Sequence, residues 1–380
     1  MAEDRKGVRA FFASLPRSVY IGGALAAAAA FPLLEQADLM DTVWLRVGVR
    51  ALIYVLLAIG LNLVMGETGL LNLGYVAFFA VGAYTTAILS SPRLGHHFPV
   101  WALIPLSIGL AMLLGLLVTL PTLRLRGDYL AIVTLAFGEI TRITFNNWDS
   151  LTNGPGGIPR IYRPEIGPLL IDTPGKFYYL ILASVVVVIV LLTNLKSSRV
   201  GRAWNALRED EIAAHHTGIH PMRMKLLSVV ISAGIAGLGG SLLAYYQSFI
   251  NPTYFVFRES VFVVCMVVLG GMGSVPGAVL GAVGLSSLPE FVRATFSKWL
   301  PSLFPGISSS PAVSGFLQGF DTYRMLIVGI VIVIMVILRP EGLLPDKLWR
   351  REVHEEDPRE QEKTRQALFD IEEGRADLEA

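Results

Sequence analysis

Charge is scarce in this chain. Asp, Glu, Lys and Arg make up 16% of its 380 residues, where soluble globular domains carry about a quarter, so a single soluble core is excluded as the architecture. Cysteine is nearly missing. Cys265 stands alone among Val, Phe and Met, which excludes a disulfide framework or a thiolate metal site within one chain. Net charge is missing as well, with 31 Lys and Arg against 30 Asp and Glu, and nothing draws the chain to nucleic acid. No glycine cluster leads into Lys-Ser or Lys-Thr, so there is no phosphate-cradling loop and no ATP hydrolysis is expected of the chain itself. No Ser-His-Asp or Gly-x-Ser-x-Gly set stands at a membrane face, and the adjacent pairs His96-His97 and His215-His216 lack the third ligand a metal needs. Neither catalysis, a cofactor nor a metal is expected.

What the chain has is apolar length. Hydrophobic residues are 53% of the total, and uncharged runs cover Thr68–Pro92, Leu94–Leu123, Leu226–Phe257 and Ser260–Pro289, each longer than the roughly 20 residues that cross a bilayer as helix. The expected fold class is all-α, a polytopic membrane protein with about ten transmembrane or re-entrant helices. The candidate crossings are Val19–Leu34, Ala51–Gly66, Leu70–Ser91, Val100–Leu120, Tyr129–Phe145, Phe177–Leu195, Leu226–Phe249, Ser260–Leu269, Val275–Val292 and Met325–Leu338. The first follows Arg5, Lys6, Arg9 and Arg17 and reads as a retained helix or as a cleaved signal peptide. Gly270–Gly277 joins two crossings or forms the tip of a re-entrant hairpin.

Orientation follows from Lys and Arg near the membrane. With the N-terminus inside, the inner segments carry sixteen of them and the outer segments ten, spread over longer loops and including Arg46, Arg50, Lys176, Arg258, Arg293 and Lys298. Both termini are therefore expected in the cytoplasm. Three parts follow: a cytoplasmic segment 1–18, a transmembrane domain 19–345 that includes a cytoplasmic loop 196–225, and an acidic cytoplasmic tail 346–380. From Glu341 to Glu379 there are 13 acids and few apolar residues, too little to build a core, with helix expected only around Gln361–Ile371.

Lys196–Lys225 is the longest inner loop. Trp204–Ala214 favours helix, and Gly218 with Pro221 marks its stop. Small Ala213 and Ala214 beside the charged Arg208, Asp210 and Glu211 suit a knob seated in another protein's groove, or else a solvated connector. In Gly60–Tyr84, glycines permit close helix contact while Asn62 and Asn72 place amides at membrane depth, with Phe78 and Tyr84 following. These residues line a path, or they pack closely with their amides satisfied by neighbouring backbone. Leu269–Ala282 holds Gly270, Gly271, Gly273 and the Gly-x-x-x-Gly pair Gly277 and Gly281. Inside an otherwise apolar helix, Glu139 and Arg142 are three residues apart on one face and can pair with each other, or they line a path. Asn153–Ile158 is an outer loop rich in turn formers.

The spacing Ala213-Ala214-x-x-x-Gly218 resembles the cytoplasmic coupling motif of importer-type ABC permeases, with Ile212 where the motif has Glu and Glu211 one position early. Gly60–Tyr84, Arg124–Arg142, Asn153–Ile158, Arg199–Ile219, Leu269–Ala282 and Leu338–Leu344 together resemble the M-type permease of branched-chain amino acid ABC importers, over about Arg46 to Pro345. The resemblance implies the ABC importer permease fold in the bacterial inner membrane. It also implies a pore for leucine, isoleucine and valine that works with a second, homologous permease, two ATP-binding subunits and an extracytoplasmic substrate-binding protein. A urea or short-amide importer permease shares the pattern. A stand-alone secondary transporter would need a set of coupling carboxylates, and the crossings hold only Glu139 and, at the end of the ninth, Glu290, with Asp128 and Glu259 at boundaries.

Overall fold

The computed structural model describes residues 17–36, 41–92, 98–122, 128–167, 169–303, 329–330, 333–335, 337–339 and 342–344. The expected segment 1–18, apart from its last two residues, the tail 346–380 and most of the tenth crossing lie outside the described residues.

In chain order the helices are α1 (Arg17–Gln36), α2 (Thr42–Thr68), α3 (Tyr75–Leu89), α4 (Val100–Thr122), α5 (Asp128–Asn147), the short α6 (Asp149–Thr152), α7 (Pro174–Ser197), α8 (Arg199–Glu209), α9 (Glu211–His216), α10 (Pro221–Gln247), α11 (Phe257–Gly270) and α12 (Val275–Leu303). Two small ladders sit at one end of the bundle. β1 (Ile158–Pro159) pairs antiparallel with β4 (Phe249–Ile250), and β2 (Glu165–Ile166) with β3 (Leu169–Leu170). The opposite end, here the basic end, carries α8 and α9 with Lys196, Arg199, Arg202, Arg208, Arg223 and Lys225.

The helices sort into central and peripheral by how much of their apolar surface the protein itself covers. The apolar windows of α2 and α10 are 78% and 72% buried, those of α4 and α7 only 28%. A helix apolar on all sides that still exposes most of itself faces lipid; one that is covered on all sides is the centre of the bundle. α10 packs against α4, α3 and α2, and α2 also packs against α12, α7 and α11.

Close approach of backbone builds the centre. A Cβ placed on Gly82 would lie 2.1 Å from the carbonyl oxygen of Gly237, and one on Gly240 would lie 2.1 Å from that of Phe79, so α3 and α10 cross with nothing between their main chains. The seam is pinned by hydroxyls: Thr86 Oγ1 is 2.7 Å from Ser241 Oγ and 2.9 Å from Ser107 Oγ, joining α3, α10 and α4.

Two expected crossings are corrected. α3 and α11 have 15 and 14 residues, about 22 and 21 Å at 1.5 Å per residue, short of the roughly 30 Å hydrocarbon core. Their first turns meet, Val76 N donating to Ser260 Oγ at 3.1 Å. From there α3 runs outward to Ser90, whose carbonyl accepts from Tyr162 N at 2.8 Å, and α11 runs the other way, to Gly270 at the basic end. Each is a half-length helix, and the chain reaches each first turn as non-α-helical backbone, through Gly69–Gly74 and through Asn251–Val256. Gly270–Gly277, read from the sequence as a join of two crossings or as the tip of a re-entrant hairpin, thus connects a half-length helix of 14 residues to one of 29.

α2 begins at Thr42, nine residues before the crossing read from the sequence, so Arg46 and Arg50 lie within it. Arg258, Lys176, Arg293 and Lys298 are likewise inside helices and not in outer loops. α1 joins the bundle through Phe31, stacked on Tyr178 at 5.7 Å, while Tyr178 Oη donates to the Ala28 carbonyl at 2.9 Å.

Candidate functional site

The loop 196–225 folds into two short helices on the basic end, and capping explains both. Ser198 accepts from Val200 N at 3.1 Å to start α8, and Asp210 accepts from Ile212 N and Ala213 N at 2.8 and 3.0 Å to start α9. Gly218, at φ +88°, ends α9 in the left-handed conformation, its N–H donating to His215 O at 3.1 Å. The pair is anchored underneath: Trp204 is fully buried with Nε1 donating to Met224 O at 2.8 Å, and Arg208 donates to the Gly66 carbonyl at the end of α2.

The residues read as a coupling set therefore divide. Arg208 turns inward, Asp210 is a cap, and Glu211 pairs with Lys225 at 2.7 Å. Ala214 is buried against the bundle, whereas Ala213 and Gly218 are exposed and Ile212 is 72% exposed. The small face expected from Ala213 and Ala214 together is split, and the outward surface is Ile212, Ala213 and Gly218.

Beneath this platform the structure gathers groups that the sequence kept far apart. Lys196, at the end of α7, pairs with Glu67 and donates to the Gly273 carbonyl at 2.5 Å. Glu67 is almost completely buried, and nothing local in the sequence marked it or Lys196 as partners. Asn62 Oδ1 accepts from Gly273 N at 2.9 Å, so the turn between α11 and α12 is held on two sides. Gly271 and Gly273 adopt φ +109° and +82° there. The rest of the glycine set makes the hairpin itself: a Cβ on Gly270 would meet the Gly277 carbonyl oxygen at 2.1 Å, and one on Gly281 the Met266 carbonyl oxygen at 2.1 Å. Leu343 N and Leu344 N donate to the carbonyls of Leu269 and Gly270 at 2.9 Å each, closing the hairpin's end.

Of the residues read as lining a path, four are packed or bonded inside the protein. Asn62 holds the Gly273 turn. Asn72 Oδ1 accepts from Gly74 N at 3.1 Å and shapes the entry to α3. Phe78 is buried between Tyr75 and Phe137. Tyr84 is stacked on Phe145 at 4.3 Å, its buried Oη without a hydrogen-bond partner among the described residues. Glu139 and Arg142 pair with each other on α5, Nε lying 2.9 and 3.1 Å from the two carboxylate oxygens, and both stay partly exposed.

The loop Asn153–Ile158 is equally ordered: Asn153, at φ +64°, donates through Nδ2 to the Gly157 carbonyl at 2.8 Å, and Asn251 Nδ2 donates to Pro155 O at 2.8 Å.

A family model described as branched-chain amino acid transport system / permease component matches residues 43–336. The chain is 37% identical over 357 residues to the high-affinity branched-chain amino acid transport system permease protein LivM of Escherichia coli strain K12, covering 87% of this chain and 76% of that protein. It is 27% identical over 277 residues to a probable LivM permease protein of Methanocaldococcus jannaschii, covering 71% and 74%. It is also 27% identical over 245 residues to the permease protein LivH of the Escherichia coli K12 system, covering 60% and 78%. No solved structure matches.

Proposed function

Because the chain belongs to the family of branched-chain amino acid transport permeases, we propose that it is the M-type permease subunit of an ATP-driven importer of leucine, isoleucine and valine in the bacterial cytoplasmic membrane. The observation that carries this reading is the platform α8–α9. It presents Ile212 and Ala213 outward on a base tied to α2 by Arg208 and to α10 by Trp204. An exposed isoleucine on a rigid, capped pair of short helices is a surface built to be covered, and an ATP-binding subunit is the partner that a chain without a phosphate loop requires.

In this reading the basic end faces the cytoplasm, as the excess of Lys and Arg there requires, and both termini lie on that side. Residues 19–345 form the permease domain, with 196–225 as the coupling loop between the flanking cytoplasmic segments 1–18 and 346–380. Two ATP-binding subunits supply the free energy. A second permease completes the path, and the likeness of this chain to both LivM and LivH supports a homologous one. An extracytoplasmic binding protein delivers substrate to the end that carries the two β ladders.

The test is to reconstitute the chain with its co-expressed partners and measure ATP hydrolysis and uptake with binding protein loaded with leucine, isoleucine, valine or urea. Stimulation by the three amino acids and not by urea is expected. Stimulation by urea alone, or hydrolysis by the isolated chain, would overturn the assignment.

A further inference from the structure

Arg258 and Glu259 open α11, the half-length helix that starts inside the bundle. Their depth can be read from the two half-length helices. Glu259, whose Oε2 accepts from Tyr54 Oη at 2.9 Å, is eleven residues, about 16 Å, from the end of α11 at Gly270, and Val76 in the facing first turn of α3 is thirteen residues, about 20 Å, from the end of α3 at Leu89. Glu259 is therefore near the middle of the membrane. Its neighbour Ser260 accepts from Val76 N, where α3 also begins.

Both charges are accessible there. The side chain of Arg258 is 63% exposed and that of Glu259 23% exposed, with Arg258 Nη2 3.9 Å from Glu259 Oε1. Ionised groups at this depth are too costly to face lipid and face a cavity or a partner instead. The space behind them, lined by Tyr54, Tyr75, Val76 and Ser260, amounts to about 10 Å³, room for a single water. A ligand larger than water therefore meets the pair from its exposed side, where Phe257 is also 40% exposed.

Resting on the reading of the chain as an amino acid permease, we propose that Arg258 and Glu259 form a mid-membrane receptor for the zwitterionic head group of an α-amino acid. A loose cation–anion pair 3.9 Å apart presents to solvent the charges complementary to an α-carboxylate and an α-ammonium carried on one carbon. The guanidinium donates to the substrate carboxylate, a charge-assisted bond for which its planar fork is suited. The Glu259 carboxylate accepts from the ammonium through the oxygen that Tyr54 does not hold. Tyr54 is a positioning residue, fixing Glu259 against α2. The pair reads only the head group, so it passes leucine, isoleucine and valine alike and leaves the choice among side chains to other parts of the system.

The experiment uses the complete reconstituted importer with Cys265→Ser as background and Phe257→Cys as reporter. A water-soluble thiol reagent is applied during turnover with leucine-loaded binding protein, and again with unloaded binding protein. Labelling of Cys at 257 is expected in both, slowed at least fivefold by leucine. Arg258→Gln and Glu259→Gln should each abolish that protection. Leucine accumulated per ATP hydrolysed should fall tenfold or more. Arg258 is mostly exposed, so its variant reads the proposal even if Glu259→Gln fails to assemble.

Absence of labelling, as when a second permease or lipid seals this face, would overturn the proposal, and so would protection that survives both substitutions. Loss of leucine-stimulated hydrolysis in the parent complex would instead refute the importer reading.

Discussion

Gly281 and Gly284 stand three residues apart on α12, and the fold assigns them opposite responses to one added methyl group. A Cβ on Gly281 would lie 2.1 Å from the Met266 carbonyl oxygen, 2.8 Å from Gly270 N and 2.9 Å from Gly270 Cα, while a Cβ on Gly284 would have nothing within 4 Å. The neighbours at Gly281 are all main chain, so no rotamer change relieves the clash. α11 and α12 must part by roughly 1 Å to restore van der Waals contact, and such overpacking costs about 1–3 kcal/mol. Gly→Ala inside a helix also gains up to about 1 kcal/mol, equally at both positions, so the difference between the two variants isolates the packing cost. At about 2.1 cal/mol/K per residue the melting entropy of the 380-residue chain is about 0.8 kcal/mol/K, so Gly281→Ala should melt roughly 1–4 °C below Gly284→Ala. Tryptophan fluorescence of protein in nanodiscs, heated at one scan rate, measures it. Equal melting temperatures, or a more stable Gly281→Ala, would refute the close approach of α11 and α12.

On the platform, Ala213→Trp should release co-purified ATP-binding subunits without lowering the melting temperature. Ala214→Trp should lower it, because Ala214 is buried; recovery of the subunits at parental levels with Ala213→Trp would remove this face from the coupling role. For topology, on a Cys265→Ser background, cysteines at exposed Glu209 and Ser150 should react with an impermeant thiol reagent from opposite sides of the membrane. In intact cells only Ser150→Cys should label; labelling of Glu209→Cys alone would reverse the orientation of the bundle, and labelling of both would refute the topology. At the base of α7, Lys196→Met removes the charged hydrogen bond from Lys196 to the buried Glu67 carboxylate, a loss of about 1.5–3 kcal/mol. Adding Glu67→Gln should recover part of it, measured by denaturant titration; strictly additive losses would show that the two side chains do not interact.

The crossings were legible because a bilayer imposes length and apolarity on any spanning helix, and Val100–Leu120 or Phe177–Leu195 differ from α4 and α7 by a few residues at each end. Half-length helices were not, because hydropathy registers Leu70–Gly74 as apolar whether its backbone is helical or extended. The Glu139–Arg142 pair was readable from three-residue spacing, since both partners sit on one helix. By contrast the Glu67–Lys196 pair and the Asn62–Gly273 hydrogen bond join residues more than a hundred positions apart, and in the second the donor is a backbone N–H that any residue but proline supplies. Ala213 and Ala214 looked equivalent because composition carries no sense of which side of a short helix faces the bundle; the Asp210 cap fixes where α9 starts, and hence which alanine turns inward. Glu259 was visible only as a charge bounding an uncharged run, and its depth depends on where the half-length helices α3 and α11 begin.

Two kinds of contact divide the bundle. Along α3, α4 and α10, main chains touch through Gly82, Gly237 and Gly240, and three hydroxyls lock the seam, so these helices form a frame that cannot slide without opening packed surface. Elsewhere α2, α7, α8 and the α11–α12 hairpin also meet through single polar contacts, most of them near helix ends. Arg208 reaches Gly66, Lys196 reaches both Glu67 and Gly273, Asn62 holds Gly273, and Tyr54 holds Glu259. Where burial keeps water out, such contacts are strong and directional, yet each depends on the position of one helix relative to another and not on a sealed interface. α8 follows α7 through Ser198, so a displacement of the platform would act on Lys196 and, through it, on the turn at Gly273. From that turn a single 14-residue helix leads to Arg258 and Glu259. Were α11 displaced at Gly270, Glu259 would move with it and change its distance from Tyr54 on α2.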